Sequence, residues 1–196
     1  MIQRPIIYVK RITNLSDARY CAGMGADLLG FVVTPNHLDY VNPIQFKEIM
    51  GWVSGPRRVV EITDWESLDL QDIITNYGPD LIHLSGKAIT GHELKGFPLI
   101  LEADADTESV IQLKIRTDAL AVEFIIISDK IESESLKIWK TLDYPLLISM
   151  NENPESLVAI QSRTGAAGFM LEGSHELKPG FKDYDHLSII LEALDS

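Results

Sequence analysis

Apolar and polar positions along this chain are grouped in blocks. Short runs dominated by Ile, Val and Leu recur at 6–10 (IIYVK), 28–33 (LLGFVV), 57–63 (RRVVEIT), 80–85 (DLIHLS), 98–103 (PLILEA), 123–128 (EFIIIS), 145–149 (PLLIS) and 168–173 (GFMLEG). Each has strand length and is apolar on both alternating faces, the pattern of a strand buried on two sides. Each is followed by a stretch with helical spacing or a helix-start signal. Helices are expected over 16–23, 43–52, 66–77, a short one near 91–95, then 107–116, 134–142, 154–163 and 184–194. The chain therefore reads as eight strand–helix units.

Doubly buried strands joined by helical crossovers make a parallel sheet, and eight such units fit a closed (β/α)₈ barrel better than an open sheet. The 196 residues lie just under the usual lower limit of about 200 for this barrel, so loops must be short. An open doubly wound sheet is the competing architecture, but "GADLLG" opens no helix with a glycine-rich dinucleotide turn. No Pro/Gly/Ser-rich linker or charge block divides the chain, so one domain over 1–196 is expected.

Composition narrows the function. A net charge of −12 argues against a nucleic-acid partner, because phosphate backbones select clustered Lys and Arg. No apolar run approaches the roughly 18 residues of a membrane span, and the first residues lack a signal-peptide pattern, so no membrane partner and a cytoplasmic location are expected. The single cysteine, Cys21, excludes an internal disulfide framework and a Cys-rich metal site. No ligand spacing for a metal is present, and no cofactor is expected.

In a (β/α)₈ barrel the working end is formed by the C-terminal ends of the strands. Read in order, these ends carry Lys10, Thr34, Glu61 or Thr63, His83 with Ser85, Glu102 or Asp104, Ser128 or Asp129, Ser149 and Glu172. Lys10 has two readings: a strand-end cation with its head in water, or an amine set in the barrel mouth. The period of two puts Tyr8 and Lys10 on one face, inward, and turns Arg11 away. Carboxylates from Asp129, Glu102 and Glu172 are then the partners able to reach Lys10. A lone strand histidine such as His83 is more often structural than catalytic. Trp52, Trp65 and Trp139 are expected to cover helix–barrel packing.

The stretches "ITNLSDARYCAGMGADLLGFVV", "YVNPIQFKEI", "DLIHLSG", "NPESLVAI" and "GFMLEGSHELKPGFKDYDHL" resemble, in the same order and over nearly the whole chain, the phosphoribosylanthranilate isomerase family. The resemblance implies a small (β/α)₈ barrel and an Amadori rearrangement in tryptophan biosynthesis. In that family the first strand ends Lys-x-Cys-Gly-Ile-Thr, with Cys as general base. Here Tyr8 takes the Lys position, Lys10 the Cys position and Arg11 the Gly position. The family's general-acid Asp falls on Ser128 or Asp129. Its substrate-holding Arg becomes Asp39, its Gly-Gly phosphate cradle becomes Met150–Asn151, and its Ser-Ser-Gly becomes Glu172–Gly173–Ser174.

The expected function is thus a phosphoribosylanthranilate isomerase-like barrel with changed activity. Lys10 and Asp129 are the candidate catalytic residues. His83, Ser85, Ser149, Asn151, Glu172, Gly173 and Ser174 are the candidate ligand-binding residues, with no metal. The expected partner is a small molecule, a sugar phosphate among the options, and a homodimer is left open. The alternatives are a non-catalytic binding or interaction protein on the same fold, or a different barrel enzyme that uses Lys10.

Overall fold

The computed structural model describes residues 4–64, 68–84, 94, 96–103, 120–128, 139–150, 157–173, 176–178, 181–182 and 188. The eight apolar runs form eight parallel strands: β1 (Ile6–Lys10), β2 (Leu28–Val32), β3 (Arg57–Ile62), β4 (Leu81–Leu84), β5 (Leu99–Glu102), β6 (Val122–Ser128), β7 (Leu146–Met150) and β8 (Gly168–Glu172). They pair in sequence order, and β8 returns to β1 to close the barrel. The protein is a (β/α)₈ barrel.

Four helices lie among the described residues: α1 (Leu15–Gly23), α2 (Pro43–Met50), α3 (Leu70–Tyr77) and α4 (Leu157–Thr164). Their starts follow local chemistry. The Asn14 side chain accepts from Asp17 N–H at 2.9 Å, and Asn42 and Gln45 form a reciprocal capping box with Pro43 in the first turn. Asp69 caps α3, whose start is therefore Leu70, and Gly78 ends that helix in the left-handed conformation. The expected helix over 107–116 lies outside the described residues, as do most of those near 91–95 and over 184–194. The end of the 134–142 segment is a 3₁₀ turn, Lys140–Leu142. After β8 the chain adds a feature the run pattern does not announce: strands β9 (Glu176–Lys178) and β10 (Phe181–Lys182) pair as an antiparallel hairpin.

Alternation along the strands divides the core in two. Tyr8, Leu28, Val59, Leu81, Ile100, Phe124, Ile126, Leu147 and Met170 fill the barrel interior. Ile7, Val9, Leu29, Phe31, Val60, Ile82 and their counterparts pack outward beneath the helices. That explains why the middle of each strand is apolar on both alternating faces. Trp139 is buried in the outer layer as expected, but Trp52 is 75% exposed, so it covers no packing. Trp65 lies outside the described residues.

The N-terminal end of the barrel is tied by ion pairs. Arg57 on β3 grips Glu123 on β6 with both guanidinium nitrogens, and Arg58 holds Asp80 through Nε at 2.9 Å and Nη2 at 2.9 Å. Among the described residues no helix is long and apolar enough to cross a membrane.

Candidate functional site in the barrel mouth

The parallel register decides which polar strand ends meet. On the closing pair of strands, Lys10 of β1 stands opposite Glu172 of β8; on β3 and β4, Glu61 stands opposite His83. All four continue the inward rows begun by Tyr8, Met170, Val59 and Leu81, so they sit at the top of the barrel interior. Glu102 continues the inward row of Ile100 on β5, and Ser149 that of Leu147 on β7.

Lys10 is a buried cation with a partner. Its Nζ lies 2.9 Å from Glu172 Oε1, with the lysine side chain 9% and the glutamate side chain 37% exposed. A buried ammonium without such a partner would cost several kcal/mol, on the order of 3–5.

Arg11 does not turn away. Its backbone is left-handed, φ +59°, a conformation that favours glycine and costs a side-chain-bearing residue roughly 1–2 kcal/mol. The resemblance places the family's glycine at this position, which fits the angle. Here the strain is offset by contacts. The Arg11 N–H donates to Glu61 Oε1 at 2.7 Å, and the guanidinium reaches Glu172 Oε2 at 3.6 Å and Asp39 Oδ2 at 3.9 Å. Arg11 and Asp39 thus form an ion pair at positions where the family pattern has Gly and Arg.

A second chain of groups runs beneath Glu102. The Tyr8 hydroxyl is 3.0 Å from His83 Nδ1, both groups fully enclosed. Burial, with the Glu61 and Glu102 carboxylates adding to it, holds the Tyr8 phenol well above its ordinary pKa, so the hydroxyl keeps its proton, and the Glu102 carboxylate on the other side of the ring favours the arrangement in which Nδ1 accepts from it. In the neutral ring the imidazole proton then sits on Nε2. That atom is buried without a hydrogen-bond partner among the described residues; Glu102 Oε2 faces it at 3.6 Å, beyond hydrogen-bond distance.

The two carboxylates flanking this histidine are pushed in opposite directions. Glu61 is raised by burial, against the pull of His83, the Arg11 N–H, Lys10 and Arg11. Glu102 is lowered by the facing His83 N–H, with Lys10 and Arg11 contributing, despite its burial.

Gly30 makes room for this cluster. A Cβ there would stand 2.6 Å from the Tyr8 hydroxyl and would collide with Glu61 Oε1. Gly173 has a packing reason as well. Its N–H donates to the Lys10 carbonyl at 2.8 Å, and a Cβ would lie 3.0 Å from the carbonyls of both Lys10 and Arg11.

Of the residues singled out in the sequence, the structure brings Lys10, His83, Ser149, Glu172 and Gly173 to one end. Asp129, Ser85, Asn151 and Ser174 lie outside the described residues. Glu61, Arg11 and Asp39 join the cluster although sequence reasoning did not select them as site residues. The signal for Arg11 was its place at the family's glycine, and for Asp39 its place at the family's arginine. Glu61 was visible only as one of two strand-end options. Among the described residues no group of three or more His, Cys, Asp or Glu side chains is arranged to hold a metal.

No protein-family model matches the chain. It is 26% identical over 206 aligned residues to N-(5′-phosphoribosyl)anthranilate isomerase of Nostoc punctiforme, covering 94% of this chain and 96% of the relative. Among solved structures, phosphoribosyl anthranilate isomerase in complex with reduced 1-(o-carboxyphenylamino)-1-deoxyribulose 5-phosphate superposes with a TM-score of 0.77 at 19% identity, over 97% of this chain and 98% of the other. The enzyme from Thermotoga maritima gives the same TM-score, 0.77, at 17% identity and the same coverage, 97% and 98%. The chain is thus similar over nearly its whole length to a phosphoribosylanthranilate isomerase and shares the (β/α)₈ fold of such enzymes.

Proposed function

We propose that this barrel keeps a small-molecule site in its mouth but has left the ordinary phosphoribosylanthranilate isomerase reaction. The observation that carries this reading is the Lys10–Glu172 ion pair at 2.9 Å. In the family pattern the Lys10 position holds the general base, and the Glu172 position belongs to the small groups that receive phosphate. An ammonium paired with a carboxylate cannot accept a proton, and loss of a general base costs about 10²–10⁴-fold in rate. A carboxylate at the phosphate position repels a phosphate dianion. Asp39, in place of the substrate-holding arginine, completes the change by engaging Arg11 within the protein.

The site also keeps features of a binding pocket. Buried Lys10, Glu61 and His83 are held in register by strands rather than by loops, and polar groups fixed on rigid elements orient a ligand well. A second reading, a barrel enzyme using Lys10 as a nucleophilic amine, draws on the burial of that lysine. The Glu172 carboxylate, 2.9 Å from Nζ, opposes it by engaging that amine.

Complementation tests the proposal. In a tryptophan auxotroph lacking phosphoribosylanthranilate isomerase, the chain should fail to restore growth when expressed at ordinary enzyme levels. Growth without tryptophan would overturn the proposal.

A further inference from the structure

We infer that the mouth takes a neutral polyhydroxylated molecule, a sugar or polyol carrying no phosphate, and holds one of its hydroxyls between His83 Nε2 and the Glu102 carboxylate. This rests on the reading of the mouth as a small-molecule site and adds the class of ligand.

The starting observation is the orphaned Nε2. It is an enclosed polar atom that faces the Glu102 carboxylate across 3.6 Å, and a carboxylate on that side of the ring favours a proton on Nε2. Leaving a buried donor unmet is costly, so a group that satisfies it gains in binding. Glu102 can yield space, because its side chain is 37% exposed whereas His83 is 1% exposed.

Three classes of ligand group can be compared at this point. A phosphate or carboxylate would accept from Nε2–H but would meet the ionised Glu102. It would also enter a mouth where four carboxylates, Asp39, Glu61, Glu102 and Glu172, stand around the cations Lys10 and Arg11. Both cations already contact carboxylates, so neither is free for an incoming anion. An ammonium would suit Glu102 but has no lone pair to accept from Nε2–H. A hydroxyl does both: it accepts from the imidazole and donates to the carboxylate. A molecule with several hydroxyls can repeat such pairing with the other polar strand ends, of which Ser149 on β7 is the nearest in type.

The test is an NMR titration of the full-length protein labelled with ¹⁵N-histidine, with the His83 ring signals assigned from His83→Gln. Xylitol, ribose 5-phosphate and 1,5-diaminopentane are added in separate arms. Xylitol should shift the His83 Nε2 resonance saturably, and the other two should leave it in place. Glu102→Gln should weaken xylitol binding about tenfold or more, the loss expected for a hydrogen bond to a charged group. Glu123→Gln, at the opposite end of the barrel, should bind as the parent does. Should Glu102→Gln lose the near-UV circular dichroism of the parent, Glu102→Asp, which keeps the charge but shortens the reach, replaces it with the same expectation.

The inference is overturned if xylitol leaves His83 unmoved, if ribose 5-phosphate or the diamine shifts it in preference to xylitol, or if the Glu102 variants bind xylitol unchanged. Turnover of N-(5′-phosphoribosyl)anthranilate is measured in parallel. A protein inert toward both that compound and xylitol loses the hydroxyl site but keeps the broader reading, whereas turnover removes the broader reading itself.

Discussion

The two ends of the barrel use charge differently. At the N-terminal end Arg57 meets Glu123 and Arg58 meets Asp80, one cation to one carboxylate, with all four side chains between about a third and two-fifths exposed. In the mouth Lys10, Glu61 and His83 are buried, Glu172 is shared by Lys10 and Arg11, and a histidine nitrogen has no hydrogen-bond partner among the described residues. Closed, solvated pairs are what a fold needs to finish an edge. Buried, over-shared and incompletely paired groups weaken a fold, and they persist where a ligand or a reaction makes use of them. The contrast sets a closed, solvated end against the mouth proposed as the site, without any reference to a relative.

The sharpest way to break the contrast is to remove one partner at each end. Lys10→Met should destabilise by about 2–3 kcal/mol, near the low end for a broken buried pair because Glu172 can turn toward solvent. Urea denaturation followed by circular dichroism checks this. Adding Glu172→Leu should recover most of the loss, since no charge then remains unpaired on that strand pair. A loss under about 0.5 kcal/mol for Lys10→Met would mean that the ammonium is solvated and that the mouth resembles the other end.

Packing in the mouth gives the next effect. Gly30→Ala should cost roughly 1–3 kcal/mol and disturb the Tyr8–His83 contact, because the added methyl collides with the Tyr8 hydroxyl and Glu61. A shift in the His83 ring resonances should accompany the lowered urea midpoint. At the other end, Arg58→Met should cost less than about 1 kcal/mol, since its pair with Asp80 is substantially exposed and screened. Raising the salt concentration should shrink the Arg58 effect more than the Lys10 effect.

The smallest effect concerns pH, and its sign differs between neighbours. Glu102, lowered in the folded protein, adds stability above the ordinary glutamate range that is lost as pH falls through its folded value. Glu61, raised in the folded protein, adds stability below that range that is lost as pH rises through its folded value. Glu102→Gln should therefore flatten the acid side of the stability profile, and Glu61→Gln the approach to neutrality. Chemical denaturation at a series of pH values between about 3 and 7 reads both slopes.

Much of the barrel was legible because its signal is local. Eight short runs dominated by Ile, Val and Leu, each followed by helical spacing, read as strands covered on both faces, whereas helix starts were read less well: the cap at Asp69 begins the third helix at Leu70 and not at 66. Period-two alternation also set Tyr8 and Lys10 facing inward. What alternation does not contain is register. Whether Lys10 meets Glu172, or Glu61 meets His83, depends on how far adjacent strands slide before they lock, and that is fixed by the whole closed barrel. Arg11 escaped for a different reason. Alternation assumes extended backbone, and a positive φ ends it, so the guanidinium came back into the mouth. Trp52 shows the limit of composition: a large aromatic need not be buried.

The central claim is that the mouth no longer suits the isomerase reaction. A direct assay of purified protein with N-(5′-phosphoribosyl)anthranilate tests it, following the loss of that compound against an enzyme-free control and with a phosphoribosylanthranilate isomerase as the positive standard. The account predicts a rate at least about 100-fold below the standard, the smallest loss expected from removing a general base. A turnover comparable to the standard, with kcat on the order of 10 s⁻¹, would contradict it.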